Sequence, residues 1–151
     1  MDFTVVNLEP HQAIAIRDNC TAAELSKKYT EIYGELGEIM KRQNLQFADH
    51  PFGMYHSFSP EAVDMEGGVV VKGDPKPEGR MHVIKTYEGK ALRADFIGPY
   101  DRLHEGWNAA MLYAKDNNFE VYGTPFEVYV SDPSNEPDSS KLHTEIYLPI
   151  K

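Results

Sequence analysis

The chain has 151 residues, 41% of them hydrophobic, and a formal net charge of −9. That length supports one domain, or two half-size units sharing a core, and the acidic balance argues against nonspecific DNA binding, which needs Lys and Arg to displace counterions from phosphate. The absence of an apolar run of about 18 residues and of a basic, then apolar, start over residues 1–20, with a lone Cys20 that has no internal disulfide partner, predicts a cytoplasmic protein without a membrane segment.

Val5 to Arg17 carries short apolar runs broken by Pro10 and is expected to form strand. Thr21-Ala22-Ala23-Glu24 has capping-box spacing and opens a helix. Leu25, Tyr29, Ile32, Tyr33, Leu36, Ile39 and Met40 fall on one face of that helix, which is expected to end near Asn44. Met54 to Phe58 and Val63 to Lys72 form a strand pair broken at Ser59-Pro60. Residues 73–79, rich in Gly and Pro, form a linker. His82 to Glu88 and Ala91 to Ile97 are strands around Gly89. Gly98-Pro99 starts a second helix whose apolar face is Leu103, Trp107, Ala110, Met111 and Ala114, ending at Asn117-Asn118. Phe126 to Val130 and Leu142 to Ile150 are the closing strands, joined by a loop at Asp132-Pro133-Ser134-Asn135-Glu136-Pro137.

The order repeats. Pro51-Phe52-Gly53-Met54-Tyr55 returns 74 residues later as Pro125-Phe126-Glu127-Val128-Tyr129. The same offset matches Tyr33 to Trp107, Leu36 to Ala110, Ile39 to Tyr113, Asn44 to Asn118 and Leu45 to Phe119. At an offset of 79, Glu66 to Val71 matches Glu145 to Ile150. The expected fold is α+β: a single domain, 1–151, of two repeats (about 1–73 and 80–151, linker 73–79), with an antiparallel sheet and two main helices. A seam between such repeats is where a small-molecule groove forms.

Strand alternation sets Ile146, Leu148 and Ile150 on one face of the last strand, and Glu145 and Tyr147 on the other. In its partner, Phe126, Val128 and Val130 alternate with Glu127 and Tyr129. If the aliphatic faces cover the helices, Glu127, Tyr129, Glu145 and Tyr147 share one wall. Such a wall either meets water or receives a bulky apolar cation, through charge complementarity and ring faces. Glu127 and Glu145 are also candidates for an acid/base pair. Tyr55, the counterpart of Tyr129, either lines the groove or packs in the core, and Tyr100, at the start of the second helix, is placed to face it. Trp107 is read as core, with a ligand contact as the alternative.

Glu66-Gly67-Gly68 replaces the Glu145-Ile146-Tyr147 pattern, so the first copy lacks a phenol, and its glycines point to a bulge or a close backbone approach. The six histidines show no paired-ligand spacing, so no metal is expected, and Cys20 has no base near it in sequence. No P-loop, dinucleotide fingerprint or GxSxG motif is present, and no cofactor is expected.

Gly98-Pro99-Tyr100, Gly123-x-Pro125-x-Glu127-x-Tyr129 with Asp132-Pro133, the closing Thr144-Glu145-Ile146-Tyr147-x-Pro149-Ile150, and Gly53-x-Tyr55 with Val63-x-x-Glu66 together resemble the GyrI-like effector-binding domain over nearly the whole chain. The resemblance implies two tandem β-α-β-β units related by pseudo-twofold symmetry, with a central ligand groove between them. It implies a bacterial domain that serves as the C-terminal sensor of AraC- and MerR-type regulators or stands alone. Regulator members bind lipophilic cationic drugs and dyes through pocket carboxylates and aromatics, which by motif position fall on Glu127, Glu145 and Tyr147. Some stand-alone relatives resemble gyrase inhibitors, and others are hydrolases that open cyclopropane rings in alkylating natural products. No helix-turn-helix pattern flanks the domain, so direct nucleic-acid binding is not expected, and transcriptional control requires a separate regulatory protein partner. The expected function is multidrug-type binding of lipophilic cations, for sequestration or sensing, through Glu127, Glu145, Tyr147, Tyr129, Tyr100, Tyr55 and Trp107. The alternatives are the hydrolase, with Glu127 and Glu145 as catalytic groups, and a gyrase-directed inhibitor.

Overall fold

A computed structural model of the chain describes residues 1–133 and 135–151; Ser134, inside the loop expected at 132–137, lies outside the described residues. The fold is α+β, with antiparallel sheet and two main helices. In chain order the elements are β1 (Asp2–Leu8), β2 (Gln12–Cys20), α1 (Leu25–Gln43), β3 (Gln46–Ser59), β4 (Ala62–Lys72), β5 (His82–Lys85), β6 (Gly89–Ile97), α2 (Leu103–Asp116), β7 (Phe126–Tyr129) and β8 (His143–Pro149). No helix among the described residues is long and apolar enough to cross a membrane.

The chain divides into two compact units, one of Pro10–Tyr87 and one of Met1–Glu9 with Glu88–Lys151. The expected repeats differ from these units at both ends, for a reason that lies in strand pairing. β1 pairs with β6 along its whole length, so the first strand belongs with the C-terminal half. β5 pairs with β2 and stays with the N-terminal half.

In the unit Pro10–Tyr87 the strand order is β3-β4-β2-β5. Ile14 and Ile16 of β2 and Val63, Met65, Val69 and Val71 of β4 pack with Ile32, Leu36, Ile39 and Met40 of α1. The periodic face expected for α1 is the face that is buried. Its entry is secured by Thr21, whose backbone N–H and hydroxyl both donate to Glu24 Oε1, at 3.0 and 2.9 Å. Gly67 and Gly68 are sites of close approach: a Cβ on Gly67 would meet Ile32 at 2.9 Å, and one on Gly68 would lie 2.5 Å from the Phe52 ring and 2.9 Å from the Ile14 carbonyl oxygen.

In the unit Met1–Glu9 with Glu88–Lys151 the order is β1-β6-β8-β7. Leu92 and Ala94 of β6 and Ile146 and Leu148 of β8 pack with Leu103, Ala110 and Ala114 of α2. Met111, expected on that apolar face, is 49% exposed. It follows Ala110 by one position, about 100° around the helix, and has turned off the buried stripe.

The offset of 74 is visible in the backbone itself. Asn44 and Asn118 both take left-handed φ, 55° and 59°. After α1, the Leu45 N–H donates to the Met40 carbonyl and the Asn44 N–H to the Lys41 carbonyl; after α2, Phe119 donates to Ala114 and Asn118 to Lys115. Both helices therefore end in the same Schellman arrangement. The ladders match as well: Phe52 lies opposite Gly68 and Met54 opposite Glu66, as Phe126 lies opposite Tyr147 and Val128 opposite Glu145.

Candidate functional site

Glu127, in the middle of β7, is a carboxylate at 2% exposure. Burial of a charged group is costly unless the surroundings compensate, so its neighbours define what the position can do. β7 pairs with β8 so that Glu127 faces the same side as Ile146, the side covered by α2. From α2, Trp107 donates its Nε1–H to Glu127 Oε1 at 3.1 Å. Tyr129 follows on the same side of β7, and its ring meets Tyr100 edge-on, centroids 5.8 Å apart. Tyr100 opens the 3-10 turn before α2 and is 39% exposed, the most open member of the group. Its phenol is pushed up from the ordinary tyrosine value, first by burial, then by the negative charges of Glu127 and Asp132. Opposite Tyr129 on β8, the Thr144 hydroxyl is fully buried and has no hydrogen-bond partner among the described residues.

The other expected members of the wall lie elsewhere. Glu145 faces the same side as Val128, and Tyr147 the same side as Phe126. This is the sheet face turned away from α2. The expected shared wall of Glu127, Tyr129, Glu145 and Tyr147 is thus split between the two faces. Alternation within each strand holds as expected; the phase between the strands does not, because Phe126 stacks on Tyr147 (4.9 Å, 12°) rather than covering the helix. Glu127 and Glu145 consequently do not face each other as an acid/base pair. Tyr55 belongs to the unit Pro10–Tyr87, where its ring packs edge-on against Phe58 at 5.8 Å.

The face away from α2 carries a polar cluster of its own. The Tyr147 hydroxyl donates to Glu145 Oε1 at 3.0 Å, and burial, followed by the Glu145 charge, pushes the Tyr147 phenol far up. His143 Nε2 lies 2.9 Å from Asp95 Oδ1, and Arg93 Nε lies 3.4 Å from Asp95 Oδ2. The unit Pro10–Tyr87 has a related feature at Glu66, a carboxylate at 4% exposure. His56 Nε2 lies 2.8 Å from its Oε1 and His82 Nε2 2.5 Å from its Oε2. Asp95 and Arg93 are not singled out by the sequence, and His143, His56 and His82 show no paired-ligand spacing in it, because their partners come from other strands. The only signal in one dimension is strand parity, which sets His143 beside Glu145.

No curated protein sequence matches the chain. Among solved structures, the C-terminal domain of EcmrR superposes with a TM-score of 0.91 at 22% identity, over 99% of this chain and 97% of that one. In the EcmrR–DNA complex the same likeness spans 57% of the EcmrR chain. SAV2435 bound to tetraphenylphosphonium superposes with a TM-score of 0.70 at 17% identity, over 100% of this chain and 94% of that one. A hydrolase from Listeria innocua gives 0.66 at 11% identity, over 99% and 91%. At these identities the likenesses establish the fold. The family model of the GyrI-like small molecule binding domain matches residues 1–151, and the chain belongs to that family.

Proposed function

We propose that this domain binds bulky, apolar cations at Glu127, for sequestration or sensing. The observation that carries the reading is the Glu127 carboxylate itself, buried to 2% exposure against the Trp107 indole. A carboxylate in such a place attracts a cation with little screening by water. A small, strongly hydrated ion loses its water shell to reach it; a large cation with spread charge and apolar groups loses far less. Trp107, Tyr129 and Tyr100 add ring faces for the cation and area for its apolar groups. Tyr100 is the exposed end of the cluster, so entry proceeds by parting the Tyr100–Tyr129 edge contact. The tetraphenylphosphonium bound by SAV2435 is a compound of this class. In a sensing role, the ligand-bound domain acts on a DNA-contacting partner.

Trp107 is the chain's one tryptophan, so its fluorescence reports on the site directly. Titration with tetraphenylphosphonium is expected to give saturable quenching, and triphenylphosphine oxide, an aromatic neutral comparator, a much weaker response. Equal affinity for the two compounds sinks the charge argument.

A further inference from the structure

On the sheet face turned away from α2, β6 and β8 bring three side chains of metal-ligand type to one point. Asp95 lies directly opposite Glu145, and His143 stands two residues before Glu145 on the same side. One ligand atom from each of Asp95, His143 and Glu145 can be chosen so that all lie within 4.8 Å of one another. All three residues are part-buried, and they are held by adjacent antiparallel strands rather than by a loop.

The geometry points to a binding site for one divalent transition-metal ion of the zinc type, ligated by Asp95, His143 and Glu145. One imidazole with two carboxylates suits zinc-class ions better than the all-oxygen sets taken by magnesium or calcium. Zinc–ligand bonds of about 2.0–2.2 Å put neighbouring donors somewhat over 3 Å apart. The His143–Asp95 contact of 2.9 Å is already near that spacing. On binding, His143 presents the Nε2 lone pair to the metal, with the ring proton on Nδ1.

The surroundings act on such an ion in two opposed ways. Tyr147 holds Glu145 through its hydroxyl. Arg93 Nε lies 3.4 Å from Asp95 Oδ2 and 3.9 Å from Glu145 Oε2, yet is buried and hydrogen-bonded to neither. With a metal bound, Arg93 stays within ion-pair reach of Asp95 Oδ2 and Glu145 Oε2 and is placed to steady them, as ligand carboxylates are commonly steadied. Its positive charge repels a dication, so affinity is expected to fall short of a closed structural zinc site. Three protein ligands leave at least one position open to water. The site is separate from the Glu127 cluster, and the inference does not rest on the reading of that cluster.

The test uses the whole chain, stripped with chelator and titrated calorimetrically with zinc chloride, and in parallel with cobalt(II) followed by visible absorption. One saturable ion per chain is expected. Asp95→Asn, His143→Gln and Glu145→Gln are each expected to weaken it by about tenfold or more and to change the cobalt spectrum, with circular dichroism unchanged. Binding that persists in a His143→Gln/Glu145→Gln double variant at wild-type affinity assigns the metal to other histidines and overturns the proposal. Absence of saturable binding in the wild type overturns it equally.

Discussion

Replacing Glu127 by Gln isolates the charge on which the proposed function depends. Gln preserves the shape and leaves an amide oxygen to accept the Trp107 N–H that Glu127 Oε1 now accepts at 3.1 Å. What disappears is the attraction for a cation. For charges about 5 Å apart at an effective dielectric of about 20, that attraction is about 3 kcal/mol, or about a hundredfold in Kd. The ring faces of Trp107, Tyr129 and Tyr100 remain, each contributing about 0.5–2 kcal/mol to a cation, so binding should weaken rather than vanish. A neutral aromatic ligand lacks the charge attraction, and its weak affinity should change by no more than about threefold. Calorimetry is the suitable assay, because Trp107 touches residue 127 and its fluorescence responds to the substitution itself. An unchanged tetraphenylphosphonium affinity refutes the electrostatic reasoning. Equal losses for the cation and the neutral compound also refute it, because they indicate a collapsed site rather than a lost charge.

Three substitutions test the unit Pro10–Tyr87. Gly68→Ala drives a Cβ to 2.5 Å from the Phe52 ring and 2.9 Å from the Ile14 carbonyl, and overpacking of this kind costs about 1–3 kcal/mol; Gly37→Ala in α1, with nothing within 4 Å of the new Cβ, should instead stabilise by about 0.5–1 kcal/mol through helix propensity, and urea midpoints compare the two. Arg80 donates to Glu35 at 2.9 and 2.7 Å and to Asp18 at 2.6 Å. Its hydrogen bonds hold Glu35 below the usual glutamate value of 4.5. Burial raises Asp18, but Arg80, the Asn19 N–H and Lys28 outweigh it and bring Asp18 below 3.8. Because both folded values lie below the unfolded ones, the stabilisation is fully present above about pH 4.5 and is lost as pH falls through the folded values. Arg80→Ala should therefore lower the urea midpoint at pH 7 and have a shrinking effect toward pH 3; a constant difference across that range contradicts the assignment.

The helices and their buried faces are legible in one dimension because both follow from local periodicity. α1 runs where Leu25 to Met40 predict it and stops at Asn44. Strand membership is less legible: nothing local in Asp2–Leu8 says that it pairs with residues 89–95, since pairing at that sequence distance is decided by tertiary packing. The candidate site shows the same limit more sharply. Parity along a strand is a property of the sequence, whereas the phase between two strands is a property of their register, and a shift of one residue exchanges the faces. Glu127 and Glu145 each alternate as expected, but Phe126 rather than Glu127 stands opposite Tyr147, and this sends the two carboxylates to opposite faces.

The two copies differ at the position that gives one of those faces a buried charge. Tyr33 and Trp107 occupy matching helix positions, and each uses its ring donor on the matching strand. Tyr33 donates to the Phe52 backbone carbonyl at 2.6 Å, and Trp107 to the Glu127 side chain at 3.1 Å. At the position of Glu127 the first copy has Gly53, with no side chain to receive such a bond. A backbone carbonyl satisfies a donor without bringing net charge, and that is what Tyr33 meets. A carboxylate in the same place satisfies the donor and leaves a negative charge on the helix-covered face. Satisfying the donor does not require that charge, since the Phe52 carbonyl does so for Tyr33 without it. The difference between Gly53 and Glu127 is therefore the local argument for a role of Glu127 beyond stability.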